Sequence, residues 1–372
     1  MQSFFDERVE FAIQNIWINP HSGKREESLA ALRDAANMGD GDAYYFLGRC
    51  YLGKSFADPV LGLPEDRKFA FECFNMSLTF ESAIGMFATM HIEGFEPLQG
   101  TFIHPPYKSK REIWDKVYGM AMAGEVFCQF LVANAYFYCD VADFLDITPE
   151  NAGGEEKYSR RVREWAAAAV GLYEGCVEKG LGIAIPNLIE ILSSGKRGVP
   201  IMKKRADKYK RIGADMGIGA YERMIGNEYR DEARYDEALA MYERAVSHGD
   251  SYAYFCLGKL FTFKGVLGMD LKRAADYLEK GIVAYPNDKG FCNLLGEICF
   301  RGGQGLACDF PKAFSLLDNA YRNGSTWGSD MLGICYLKGL GTDVDLEMAR
   351  WMFELNPKKR LAAWGLEELD SY

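Results

Sequence analysis

The sequence is short of the residues that most chemistry needs. Its 372 residues include four histidines, His21, His91, His104 and His248. None stands in a His-Glu-x-x-His pair or beside a Gly-x-Ser-x-Gly nucleophile turn. There is no Gly-x-x-x-x-Gly-Lys-Ser/Thr loop, and the glycines of GADMGIGAYERMIG follow no strand, so they do not read as a phosphate cradle. Asp40-Gly41-Asp42 lacks the remaining ligands of a calcium loop and reads as a junction supplying helix caps. Cys292 and Cys299 lack the close spacing of a zinc site. Basic charge is also scarce: 43 Lys and Arg against 53 Asp and Glu leave a formal net charge of −10, which speaks against nucleic acid as a partner. No run approaches the ~20 apolar residues of a membrane helix. The opening MQSFFDERVEFAIQ lacks a charged segment followed by an apolar one, so no signal peptide is expected and the expected location is cytoplasmic. These absences predict a protein that is not an enzyme and has no cofactor, no metal and no membrane contact.

Apolar residues make up 48% of the chain and aromatics 14%, enough for a continuous core. Residues 249–285 show how that core is organised. Ala253, Leu257, Leu260 and Phe261 fall at i, i+4, i+7 and i+8, one face of a helix. Gly258 interrupts that helix beside Leu257. The same pairing recurs as Leu47-Gly48, Ile225-Gly226, Leu295-Gly296 and Leu332-Gly333. A mid-helix glycine costs about 1 kcal/mol relative to alanine, so five would cost about 5 kcal/mol of a typical 5–15 kcal/mol stability. Close helix–helix approach is the natural compensation. An aromatic follows three residues later as Tyr51, Tyr229, Phe261 and Tyr336, with Cys299 in the remaining copy. A second helix then opens on Asp66/Ala70, Asp270/Ala274, Asp309/Ala313 and Asp345/Ala349. The aspartate serves as a cap and the alanine as a contact point, whereas Arg234/Ala238 lacks the cap.

This combined pattern resembles the Sel1-like repeat family, a relative of the tetratricopeptide repeat. It is carried most strongly by 39–80, 251–285, 289–324 and 327–355. The resemblance implies an all-α, right-handed α/α superhelix of helix pairs whose first helices line a concave face. It also implies an adaptor or scaffold role. Some secreted proteins of this kind bridge the two helices of each repeat with a cysteine pair. Here the ten cysteines are irregularly spaced, so reduced buried thiols are expected, although Cys50 and Cys73 could face each other.

About nine helix pairs are expected along one continuous solenoid spanning 1–372: 4–18 with 25–38, 42–53 with 67–80, 83–94 with 111–124, 126–139 with 159–180, 183–195 with 201–217, 220–230 with 234–248, 251–265 with 271–285, 289–303 with 310–323, and 327–339 with 345–355. A capping helix over 358–369 follows, with Glu367, Glu368 and Asp370 suited to its polar outer side. A solenoid of this size needs no single large core, because each repeat contacts only its neighbours. Long insertions at 54–66, 95–110 and 140–158 all join a first helix to its second, which places them on one edge.

If the tetratricopeptide register transfers, inward positions can be counted from the Leu-Gly landmark. They are Tyr45 and Arg49; Phe130, Asn134 and Tyr138; Arg223, Asn227 and Arg230; Tyr252, Phe255, Lys259 and Phe263; Asn293, Glu297 and Arg301; and Trp327, Asp330 and Lys338. The set from Arg223 to Asp330 predicts a partner-binding face, since cations and amides can hold a carboxylate or a peptide backbone and aromatics anchor interfaces. The alternative is ordinary solvated charge, neutralised by Glu222, Glu228 and Glu297. Trp17, Trp114, Trp165, Trp351 and Trp364 are expected in the core, with Trp327 the exception. The leading expectation is a non-enzymatic adaptor that binds a protein or peptide segment in its groove. The alternative is a solenoid that takes a small anionic or carbohydrate-like ligand under the insertions, or that regulates a partner enzyme.

Overall fold

The computed structural model describes residues 3–53, 65–262, 269–303 and 305–370, and every regular element among them is helical. The helices fall into two units, Met1–Ile218 and Gly219–Tyr372. The first holds α1 (Glu7–Ile13), α2 (Arg25–Asn37), α3 (Gly41–Tyr51), α4 (Arg67–Thr79), α5 (Ala83–Thr89), α6 (Lys110–Met122), α7 (Val126–Tyr138), α8 (Val141–Phe144), α9 (Glu155–Glu178), α10 (Ile185–Ser194) and α11 (Lys203–Asp215). The second holds α12 (Gly219–Asp231), α13 (Tyr235–Ser247), α14 (Ala253–Thr262), α15 (Leu271–Ala284), α16 (Lys289–Arg301), α17 (Phe310–Arg322), α18 (Ser329–Lys338), α19 (Leu346–Glu354) and α20 (Arg360–Asp370). Among the described residues these make the nine expected pairs and the terminal helix. The insertion at 54–66 and Phe263 lie almost wholly or wholly outside the described residues.

The caps and the glycines explain the pairs. Asp66, Asp270, Asp309 and Asp345 accept hydrogen bonds from the backbone N–H of Phe69, Arg273, Lys312 and Met348, at 2.9–3.1 Å. The alanines four residues on, Ala70, Ala274, Ala313 and Ala349, are fully buried, as is Ala238 of the uncapped α13. Each mid-helix glycine faces a side chain of its partner helix. A methyl group would lie 2.6 Å from Tyr242 at Gly226, 2.6 Å from Leu278 at Gly258, 2.8 Å from Leu317 at Gly296 and 2.3 Å from Phe353 at Gly333. Only a missing side chain permits helices this close.

In the second unit the core runs from one hairpin to the next. Ala238 and Tyr242 pack on Leu257 and Leu260; Phe261 and Leu278 pack on Phe291 and Leu295; Leu317 packs on Leu332 and Met352. Two ion pairs, Lys338–Glu368 (3.1 Å) and Arg350–Asp370 (2.7 Å), fasten α20 to α18 and α19.

The first unit departs from contact between neighbours alone. After α1 the chain widens into a π-turn (Gln14–Ile18), a geometry that occurs mostly as single turns joined to α-helices. It buries Trp17 against Phe46 of α3 and Phe127 of α7, with ring centroids 5.2 and 5.7 Å away. Ile18 meets Gly180 beyond α9, and His21 Nε2 lies 3.2 Å from the Met216 carbonyl beyond α11. The opening hairpin thus touches the fourth and fifth pairs, because its Trp and Ile gain more by burial there than by facing water.

Two further differences concern aromatics and insertions. Trp17 and Trp114 are core residues, but Trp351 and Trp364 are about half exposed, contrary to expectation. Trp351 donates its indole N–H to the Tyr321 hydroxyl of α17 at 3.1 Å, and Trp364 borders an open cleft, each on a side of its helix away from the buried residues. The 140–158 insertion contains α8, whose Phe144 stacks on Phe87 with centroids 4.4 Å apart. The 95–110 insertion folds back on α4 through Phe95, which packs on Phe71 and Phe74.

Candidate functional site

In the first unit α3 and α7 carry their inward side chains into one cleft of about 810 Å³. Arg49, Phe130, Asn134 and Tyr138 line it, joined by Phe87, His91, Phe144 and Asn187. Tyr45 lies beneath, fully buried, and accepts a hydrogen bond from Arg49 Nη1 at 3.1 Å. The guanidinium sits on a bed of rings, 4.9 Å from the Phe127 centroid and 5.9 Å from that of Phe130. Such contacts favour the cation electrostatically where water is scarce.

An amide network fixes the orientation of Asn134. Its Oδ1 accepts from the Tyr173 hydroxyl (2.7 Å) and from Asn187 Nδ2 (2.9 Å). With the oxygen doubly engaged, the Asn134 amino group is left without a partner among the described residues. Asp140 and Phe144, from the 140–158 insertion, close one side, and His91 Nδ1 stands 3.7 Å from Asp140. The 95–110 insertion contributes none of the lining.

In the second unit the counted residues divide into two groups. Arg223 Nε pairs with Asp250 at 2.7 Å and lies over Tyr252, 5.3 Å from its centroid. Burial works against its charge and is the largest single effect, but the hydrogen bond and the charge of Asp250, with Cys256 and Tyr252 beside them, together raise its pKa above the ordinary value. Asn227 Oδ1 accepts from Tyr242 (2.9 Å) and Arg230 Nη1 (3.2 Å), and Arg230 also pairs with Asp231. Tyr252 and Phe255 pack on Phe291 at 5.7 and 5.3 Å. These residues hold the fold together more than they offer free donors. Their partners are Asp250, Asp231 and Tyr242. Glu222, offered above as a neutralising acid, is instead fully buried against Arg244 and His248. Lys259 is half-buried, with no ion pair among the described residues. Asn293 donates from Nδ2 to Ser325 Oγ at 2.7 Å, and its buried Oδ1 has no protein partner among the described residues.

The other group converges. Glu297, Arg301, Trp327 and Asp330 line a cleft of about 630 Å³ with Met331, Lys359, Arg360, Leu361 and Trp364. Glu297 pairs with Arg301 at 2.7 Å and Asp330 with Lys359 at 2.9 Å. The inward positions expected from the sequence end at α18, and α20, with Lys359 just before it, supplies most of the rest of this cleft. Arg360 and Trp364 are one turn apart, on the side of α20 away from its buried Ala362, Gly365 and Leu369, and that spacing was readable. Lys338 belongs to neither group: it pairs with Glu368 and covers the Trp364 ring at 5.6 Å.

The ten cysteines are free thiols, eight of them buried, with Cys139 half-buried and Cys308 exposed. Burial pushes the Cys50 and Cys73 thiols up to about 12, far from a nucleophile's range. Among the described residues no helix is long and apolar enough to cross a membrane.

Comparison with known proteins identifies the fold. No protein-family model and no curated protein matches the chain. Among solved structures it is similar to a protective antigen of uropathogenic Escherichia coli strains displaying an SLR fold, at 19% identity and a TM-score of 0.50, covering 98% of this chain and 71% of that one. It is also similar to a Sel1 repeat protein from Oxalobacter formigenes, at 24% identity and a TM-score of 0.45, covering 67% and 94% of the two chains.

Proposed function

We propose that this chain, whose fold is the all-α solenoid of Sel1-like repeat proteins, is a non-catalytic scaffold that holds a segment of a partner protein against the inward face of its first helices. One observation carries the reading. Positions expected to face inward from the tetratricopeptide register line a cleft in each unit: Arg49, Phe130, Asn134 and Tyr138 in one, Glu297, Arg301, Trp327 and Asp330 in the other. Both clefts mix apolar walls with a few fixed polar groups, the composition that suits a peptide segment.

The test uses Lys259, which has no ion pair among the described residues, and Asn134, whose amino group is free although its oxygen serves Tyr173 and Asn187, so a thermal melt accompanies each capture. Arg223→Glu is unsuitable because it would place two carboxylates together at Asp250. Asn134→Ala and Lys259→Glu each alter an inward group with free bonding capacity, and Val283→Glu, at an 82% exposed second-helix position, is the control. Quantitative affinity capture should lose partners in the first two variants and not in the third. Identical partner sets from all four proteins would remove the inward face from the account.

A second reading has support in the first unit. Asp140 and Phe144 of an insertion close the cleft there, as expected for a small ligand. A metabolite panel read by thermal shift tests it, since a ligand selective for the folded state raises apparent stability by mass action.

A further inference from the structure

We propose that the cleft between the ends of α16, α18 and α20 receives an acidic segment of a partner protein that inserts an aromatic or aliphatic side chain between Trp327 and Trp364. This deepens the scaffold reading and rests on it, naming the chemistry of the segment at one place. The two indoles are 45% and 42% exposed and line the same cleft. Exposed tryptophan is an unusual use of a large apolar surface, and tryptophan with arginine is what interface centres are enriched in.

The rings are held in place. Lys359 Nζ lies 5.3 Å from the Trp327 centroid, donates to the Trp327 carbonyl and pairs with Asp330; Lys338 Nζ lies 5.6 Å from the Trp364 centroid and pairs with Glu368. Each lysine thereby covers an indole while a carboxylate of the fold neutralises it. Side chains already ordered lose less freedom on binding than loose ones.

Charge then selects the occupant. Within the cleft Arg301 is balanced by Glu297 and Lys359 by Asp330. Arg360, exposed at the start of α20, has neither an ion pair nor a hydrogen bond among the described residues. The lining therefore carries one uncompensated positive charge, in a chain whose formal net charge is −10. A carboxylate reaching Arg360 gains a bidentate contact without displacing an existing pair. A basic segment would meet Arg360, Lys359 and Lys338 with nothing left to neutralise it.

The probe is a set of capped nonapeptides with a central Phe flanked by Glu and Asp, by Lys, or by Ser, titrated into the full chain. Indole fluorescence and calorimetry are the readouts, and cello- and chito-oligosaccharides form a second arm. The acidic peptide should shift the indole emission and bind at least tenfold more tightly than the Lys peptide. Arg360→Glu should reverse that order. Trp327→Ala and Trp364→Ala should each weaken binding at least tenfold while melting within a few degrees of the wild type. The proposal is overturned by equal affinity for the acidic and basic peptides, by an acidic preference that survives Arg360→Glu, by binding of the saccharides alone, or by no binding. Partner capture that survives Arg360→Glu but is lost in Lys259→Glu would remove this cleft and leave the scaffold reading standing.

Discussion

A methyl group placed on Gly48 would sit 2.6 Å from the ring of Phe74 and 2.9 Å from the Ala70 carbonyl oxygen. The first helix of that repeat lies on its partner at a distance that only hydrogen allows. Gly48→Ala and Gly258→Ala should therefore destabilise by about 1–3 kcal/mol, overpacking outweighing the ~1 kcal/mol gain in helix propensity. Gly175→Ala in α9, where a methyl group meets nothing within 4 Å, should instead stabilise by up to ~1 kcal/mol. Urea midpoints for the three variants check the contrast in sign.

The aspartate caps predict a chemical selectivity. Asp270→Ala leaves the Arg273 N–H without its acceptor and should cost about 1 kcal/mol, whereas Asp270→Asn keeps an oxygen there and should cost much less. Thermal melts of the two variants side by side distinguish capping from a charge effect, which both substitutions would remove equally.

Asp42 predicts a dependence on pH. Its carboxylate accepts from the Ser82 hydroxyl at 2.5 Å, and that oxygen in turn accepts from the Gly85 N–H that opens α5. Burial pushes the Asp42 pKa up to about 6, with Asp40 and Glu125 adding to the rise and Ser82 and Lys116 opposing it. A folded pKa above the unfolded value of about 3.9 means that the folded state holds the proton more tightly. Stability from this group is therefore fully present below pH ~4 and is lost as the pH rises through ~6. Asp42→Asn should gain on the wild type by on the order of 2–3 kcal/mol between pH 4 and pH 7, read as the difference in unfolding free energy. A difference that does not change with pH would contradict the assignment.

The helix pairs were legible because their signals are local. Leu295-Gly296 and Asp309/Ala313 specify a contact and a cap within a few residues of sequence, and both form. What was not legible depends on residues far apart. Nothing near Trp17 announces that a π-turn will carry it to Phe127, and nothing near Phe144 announces the ring of Phe87. Trp351 and Trp364 lie on helices whose buried faces are set by Ala349, Met352 and Phe353 and by Ala362, Gly365 and Leu369, and each indole stands on another side. The inward residues were countable in number but not in use. Arg223 and Asn227 look like free donors until Asp250 and Tyr242 come to meet them, while Arg360 gains meaning only beside Trp327 and Trp364.

The central claim is that partners meet the inward face of the first helices. Photo-crosslinking residues placed singly at Tyr138, Lys259 and Trp327, and for comparison at the exposed Met38, which ends α2, and Val283 in α15, test it most directly. The account predicts that the three inward positions crosslink to the same partner and that Met38 and Val283 do not. Crosslinks to that partner from Met38 or Val283, with none from the inward positions, would contradict it.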